Sequence, residues 1–103
     1  MTQSEFKELL ETTKLPVAHL SFPEDEVQEL PFICFINPED NNFAADGVVY
    51  FSAHRMIVEL YLEHRDEEIE EIVETAISSF YYTKDAEYLD DESCWLITYE
   101  MEV

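Results

Sequence analysis

Apolar positions recur along this chain with two different periods, and the switches between them divide it into seven elements. Phe6, Leu9 and Leu10 fall three and four residues apart behind Thr2 and Glu5, whose spacing is that of a capping box. Together they predict a short amphipathic helix that ends before Leu15-Pro16. Residues 17–22 read as a short strand, and residues 23–31, acidic and bracketed by Pro23 and Pro31, follow neither period and read as an exposed loop. Phe32-Ile33-Cys34-Phe35-Ile36 is an apolar run too short for a core helix and bounded by turn residues, which predicts a buried strand. Residues 37–47 carry Pro38, Asn41, Asn42 and the only glycine, Gly47, as the connection of a hairpin would. The strand after it, residues 48–62, places Met56, Val58, Leu60 and Leu62 on one face, with Arg55, Ile57, Glu59 and Tyr61 on the other.

Behind Asp66, a candidate N-cap, Ile69, Ile72, Val73, Ala76, Ile77 and Phe80 recur at helical spacing, the strongest periodic signal in the chain. Glu67, Glu68, Glu70, Glu71 and Glu74 are assigned to the outer face of that helix, crowded toward the end where the helix dipole favours negative charge. Residues 82–89 are weakly strand-like. Asp90-Asp91-Glu92 turns the chain into a last strand in which Trp95, Ile97, Tyr99, Met101 and Val103 alternate with Cys94, Leu96, Thr98, Glu100 and Glu102. The expectation is one α+β domain over residues 1–103, ordered α-β-β-β-α-β-β, with two helices packed on a largely antiparallel sheet of about five strands.

Composition agrees with a folded chain and narrows its chemistry. With 103 residues, 47% hydrophobic and 14% aromatic, there is apolar mass for one core. Twenty-five acidic residues face five basic ones, for a formal net charge of -20 at pH 7. Phosphate recognition requires lysine and arginine, so sequence-specific nucleic-acid binding and attraction to anionic membranes are excluded. No apolar run reaches the roughly 18 residues of a membrane span. Cys34 and Cys94 each lie in an apolar stretch, without a CxxC pair or an export signal at the start, and read as buried free thiols.

Nothing points to an enzyme, a cofactor or a metal site. His19, His54 and His64 lack the spacings that put ligands on one face, and the glutamate-rich run 66–74 lacks the alternating oxygens and central glycine of a calcium loop. One glycine cannot build a phosphate-cradling loop. A thiol in an apolar, acidic setting has a raised pKa, which argues against a cysteine nucleophile.

Several blocks carry a resemblance: Leu15-Pro16-Val17-Ala18, Pro31-Phe32-Ile33-Cys34, Asn41-Asn42-Phe43-Ala44-Ala45-Asp46-Gly47-Val48-Val49-Tyr50, Ile57-Val58-Glu59-Leu60-Tyr61 and Tyr99-Glu100-Met101-Glu102. In that order they resemble a family of small tail-completion proteins (tail terminators or head–tail joining proteins) of siphophages and prophages of Gram-positive bacteria. His19 departs from the family, standing where an aromatic residue is expected. The resemblance implies an α+β subunit that assembles as a hexameric ring in the virion, at the tail or neck, after synthesis in the host cytoplasm. Its implied partners are the tail tube and head-completion proteins and further copies of itself, the state of the isolated chain being left open.

Charge gives that resemblance a mechanism. Six copies at -20 each would carry about -120 formal charges, repelling DNA that passes through the ring. Glu67, Glu70, Glu71 and Glu74 are the candidate acidic lumen, and Asn41, Asn42, Phe43 and Asp46, with Phe43 near the loop tip, are the candidate contact with a neighbouring subunit or the tail tube. The competing reading is an acidic DNA mimic whose carboxylates occupy a basic cleft of a DNA-processing host enzyme.

Overall fold

The computed structural model describes residues 2–19, 28–38 and 55–103, and local capping rules account for both helices within them. Helix α1, Gln3–Glu11, opens on a complete capping box: the Thr2 hydroxyl accepts from the Glu5 amide, and the Glu5 carboxylate accepts from the Thr2 amide, each at 3.1 Å. It closes on side chains as well. The Thr12 and Thr13 hydroxyls donate to the Leu9 and Leu10 carbonyls, and Lys14 follows at φ 68°, in the left-handed region that terminates a helix.

Strand β1, Val17–His19, then pairs in parallel with β2, Phe32–Ile36. β2 pairs antiparallel with β3, Arg55–Leu62, which pairs antiparallel with β5, Cys94–Glu102. β4, Tyr82–Leu89, closes the sheet at the far edge, giving the order β1-β2-β3-β5-β4. Helix α2, Glu67–Ala76, lies between β3 and β4 in the chain. The described residues therefore form a single α+β domain with two helices and a five-stranded, mostly antiparallel sheet. The expected strand 48–62 is described from Arg55 onward; the rest of it, residues 20–22 of the first strand, and most of the loops 23–31 and 37–47 lie outside the described residues.

Register decides the core. Ile33 and Phe35 of β2 lie beside Leu60 and Val58 of β3, which lie beside Ile97 and Tyr99 of β5, so one sheet face is continuously apolar across three strands. Phe6 and Leu10 of α1 and Val73 and Ile77 at the end of α2 pack onto that face, and all ten of these side chains are fully buried. His19, the departure from the resemblance, packs as an aromatic would: its ring lies 5.1 Å from that of Phe35. The second face is mixed. It carries Phe32, Cys34, Ile57, Glu59, Tyr61, Leu96 and Thr98, with Phe32 stacked on Tyr61 at 4.8 Å.

α2 stops before its apolar periodicity does. Ile77 caps it, and Phe80, the last periodic position, sits in the following turn with its amide bonded to the Ile77 carbonyl. Phe80 still reaches the core, its ring 6.3 Å from that of Phe6. Helical spacing thus persists through a turn that is no longer helix. The β4–β5 hairpin turns at residues 90–93, where the Glu92 amide bonds the Leu89 carbonyl and Ser93, at φ 52°, takes the left-handed position that a four-residue loop uses to rejoin the ladder.

Phe6 joins α1 to the sheet and to Phe80, so Phe6→Ala should lower the unfolding free energy by about 3–5 kcal/mol. Tyr81→Ser, at a fully exposed side chain, should change it by no more than about 0.5 kcal/mol. Urea denaturation of the two variants measures the difference.

Candidate functional site

A helix carrying five glutamates in eight residues cannot present all of them to water unless its apolar stripe is centred opposite to them. It is not so centred. The buried stripe of α2 runs through Glu70, Val73 and Ile77, at intervals of three and four, while Ile72 is 47% exposed. The helix is therefore rolled toward Glu70 relative to the centre of its apolar residues. Glu70, expected on the outer face, is buried, with 3% of its surface accessible. That expectation is corrected, and with it the idea of four equivalent outward carboxylates.

Cations draw the Glu70 carboxylate inward. Arg65 meets it with two hydrogen bonds, Nε to Oε2 at 3.1 Å and a terminal nitrogen to Oε1 at 3.0 Å, the planar fork-to-fork geometry that gives arginine its strongest carboxylate contacts. Lys84, on the helix-facing side of β4, places its Nζ 2.9 Å from Glu70 Oε1 and 2.8 Å from Glu74 Oε2. The fully buried Tyr99 hydroxyl donates to the same Glu74 oxygen at 2.8 Å. Two of the chain's five basic residues are thus consumed in one network that binds α2 to β4 and β5. The Arg65 guanidinium also lies 5.3 Å over the Trp95 ring.

These contacts fix the protonation states. Hydrogen bonding from Arg65, then from Lys84, holds the Glu70 carboxyl below its ordinary value of 4.5 in spite of burial. The Lys84 ammonium is held above its ordinary value, chiefly by Glu74. Burial and the neighbouring Glu74 push the Tyr99 phenol well up, so it acts only as a donor. The network is closed.

The remaining acids of α2 divide between two surfaces. Glu68 and Glu71 rim an open groove of about 670 Å³ between α1 and α2, whose floor is Leu9, Ile72 and Ala76. Glu67 lies on the other flank, with Arg65, Glu71 and Lys84, above the buried network. Of the four residues assigned to an acidic lumen, Glu67 and Glu71 are exposed, Glu74 is half-buried and Glu70 is enclosed. The second group, Asn41, Asn42, Phe43 and Asp46, lies outside the described residues, as does His54.

On the mixed sheet face Arg55 pairs with Glu100 at 2.6 Å, and Glu59 is half-buried. Poor solvation raises its pKa, with a hydrogen bond from Tyr61 opposing the shift. The same setting pushes the Cys34 thiol up to about 11 and the Tyr61 phenol up to about 12. Both cysteines are free and buried, as the sequence predicts, and neither is poised as a thiolate. Among the described residues no group of three or more histidine, cysteine, aspartate or glutamate side chains is placed to hold a metal ion. No described helix is long and apolar enough to cross a membrane. No protein-family model matches the chain, and no curated protein matches it either.

Two carboxylates titrate with opposite sign. Glu70 is depressed, so its stabilising contribution is present above its ordinary value and is lost as pH falls through its lower folded value. Glu70→Gln should cost about 1–3 kcal/mol at pH 7, since Arg65 is partly exposed and Lys84 keeps Glu74. Glu67→Gln should cost nothing measurable. Glu59 is raised, so folding loses stability as pH rises from its ordinary value through the folded one. Glu59→Gln should raise the Tm at pH 7 and leave it unchanged below its ordinary value of 4.5; thermal unfolding at the two pH values reads both effects.

Proposed function

We propose that this protein is a non-enzymatic structural component of a tailed phage or prophage, a ring subunit that terminates the tail or joins it to the head. The observation that carries the reading is the ordered run of resemblance blocks from Leu15 to Glu102. Support comes from a single α+β domain built on those blocks: the second, fourth and fifth lie largely in β2, β3 and β5, the three central strands.

The structure reshapes the mechanism attached to that reading. A lumen made from α2 would present Glu67, Glu68 and Glu71 to passing DNA, while Glu70 and Glu74 hold the helix in place behind them. Exposed carboxylates at the wall repel phosphates, and the repulsion weakens beyond about 10 Å at 0.1 M salt, so the ridge acts only on DNA close to the wall. The loop residues Asn41, Asn42, Phe43 and Asp46 would contact a neighbouring subunit or the tail tube. The chain would meet its partners in the host cytoplasm during assembly and remain in the virion.

Deletion of the gene from the phage or prophage that encodes the protein, followed by electron microscopy of the particles, tests the reading. Filled heads without joined tails, or tails of irregular length, are the expected result. Particles with tails of uniform length on filled heads would overturn it. If the purified chain instead binds a DNA-processing enzyme as a monomer or dimer, with steep loss of affinity on adding salt, the DNA-mimic reading takes its place.

A further inference from the structure

β4 pairs with β5 along all eight of its residues and with no other described strand, so its outer row of backbone N–H and C=O groups has no partner among the described residues. Residues 83–88 are all exposed, and Tyr88 retains 45% of its accessible surface. At the opposite edge, β1 is described over three residues, Val17–His19. An eight-residue edge without a partner among the described residues is long enough to template the addition of another strand, with main-chain bonds supplying affinity and alternate side chains supplying specificity.

Those side chains differ sharply between the two faces. On the mixed face β4 presents Thr83, Asp85 and Glu87, which sit beside Glu100, Thr98 and Leu96 of β5. On the helix-facing side it presents Tyr82, Lys84, Ala86 and Tyr88. There the Lys84 charge is already matched by Glu70 and Glu74, and Tyr88 stands edge-on to Trp95 at 5.4 Å. One side of the edge is acidic; the other is aromatic and effectively neutral.

Symmetry argues against a second copy as the occupant. A two-fold axis normal to a continuous antiparallel sheet pairs residues of the same face, so it must pass through a residue position. Centred on Asp85 or Glu87, it sets that carboxylate against its own copy. Centred on Ala86, it sets Asp85 against Glu87 twice. The two registers that align most of the edge, centred on Asp85 and on Ala86, therefore place carboxylates directly opposite, which is destabilising.

We propose that the outer edge of β4 is a docking site for an extended segment of another protein in which lysine or arginine alternates with apolar residues. Added as a sixth strand, such a segment lays its cations beside Asp85 and Glu87 on one face and its apolar side chains beside Tyr82, Ala86 and Tyr88 on the other. The inference stands apart from the tail-end reading, since it rests on the edge and its charges alone.

The test titrates the full chain, labelled with nitrogen-15, with a blocked peptide of alternating lysine and valine, and follows backbone amide shifts. Shifts concentrated on residues 82–89 and their β5 neighbours are expected. A peptide of identical sequence, N-methylated along its length, keeps its charge but cannot donate to a ladder, and it should bind at least about tenfold more weakly. The doubly substituted chain Asp85→Lys with Glu87→Lys should show a similar loss. Because the N-methylated arm uses the unaltered chain, it remains decisive if that variant fails to fold. Equal binding of both peptides, or shifts spread over the α2 glutamates, would overturn the proposal in favour of unspecific charge attraction. Protection of the 82–89 amides that grows with protein concentration alone would overturn the choice of occupant in favour of a second copy.

Discussion

In a chain with 25 acidic and five basic residues, the positions of the few cations decide which carboxylates can leave water. Arg65 and Lys84 converge on Glu70, and their combined charge and hydrogen bonds offset the cost of burying a carboxylate, which would otherwise be several kcal/mol. The rest of the helix–sheet geometry follows from that convergence. With Glu70 facing inward, α2 takes the roll that buries Val73 and Ile77 and leaves Ile72 at the surface as the floor of the groove toward α1. Glu74, one turn on, is brought to Lys84 and to the Tyr99 hydroxyl, so the same network joins α2 to the two strands farthest from α1 in the sheet order.

The network also sorts the acids into structural and available ones. Glu70 and Glu74 are committed to internal partners, whereas Glu67, Glu68 and Glu71 stay exposed and give α2 an acidic outer surface. β4 shows the same division across a strand: Lys84 turns toward the helix and is neutralised there, while Asp85 and Glu87 face outward on either side of Ala86. Negative charge at the surface is thus patterned by which carboxylates have a cation within reach. That pattern links the exposed acids of α2 and the acidic edge of β4 to one cause.

The two sheet faces divide the labour differently. The helix-covered face is apolar from β2 through β5 and supplies the packing that holds the domain together. The mixed face keeps Cys34, Glu59 and Tyr61 in poorly solvated positions, where neutral forms are favoured over charged ones. A thiol, a carboxyl and a phenol there all have raised pKa values, set chiefly by burial.

Much of this architecture is local in origin and legible from the chain alone. Thr2 with Glu5 and Asp66 mark helix starts because caps act over three residues, and the alternation of Met56, Val58, Leu60 and Leu62 marks a core-facing strand because the pleat has period two. Those signals determine the elements, the α+β class and the burial of both thiols. The roll of α2 had a trace in the sequence, since Glu70 stands three and seven residues before Val73 and Ile77, but that position reads as outward until a cation is known to face it. Lys84 is 14 residues away and Tyr99 farther still. Arg65, five residues before Glu70, is within local reach, but only the pairing of β4 with β5 and the packing of α2 on the sheet bring Lys84 and Tyr99 to Glu70 and Glu74, because partners so distant in sequence are chosen by tertiary contacts that no local spacing encodes.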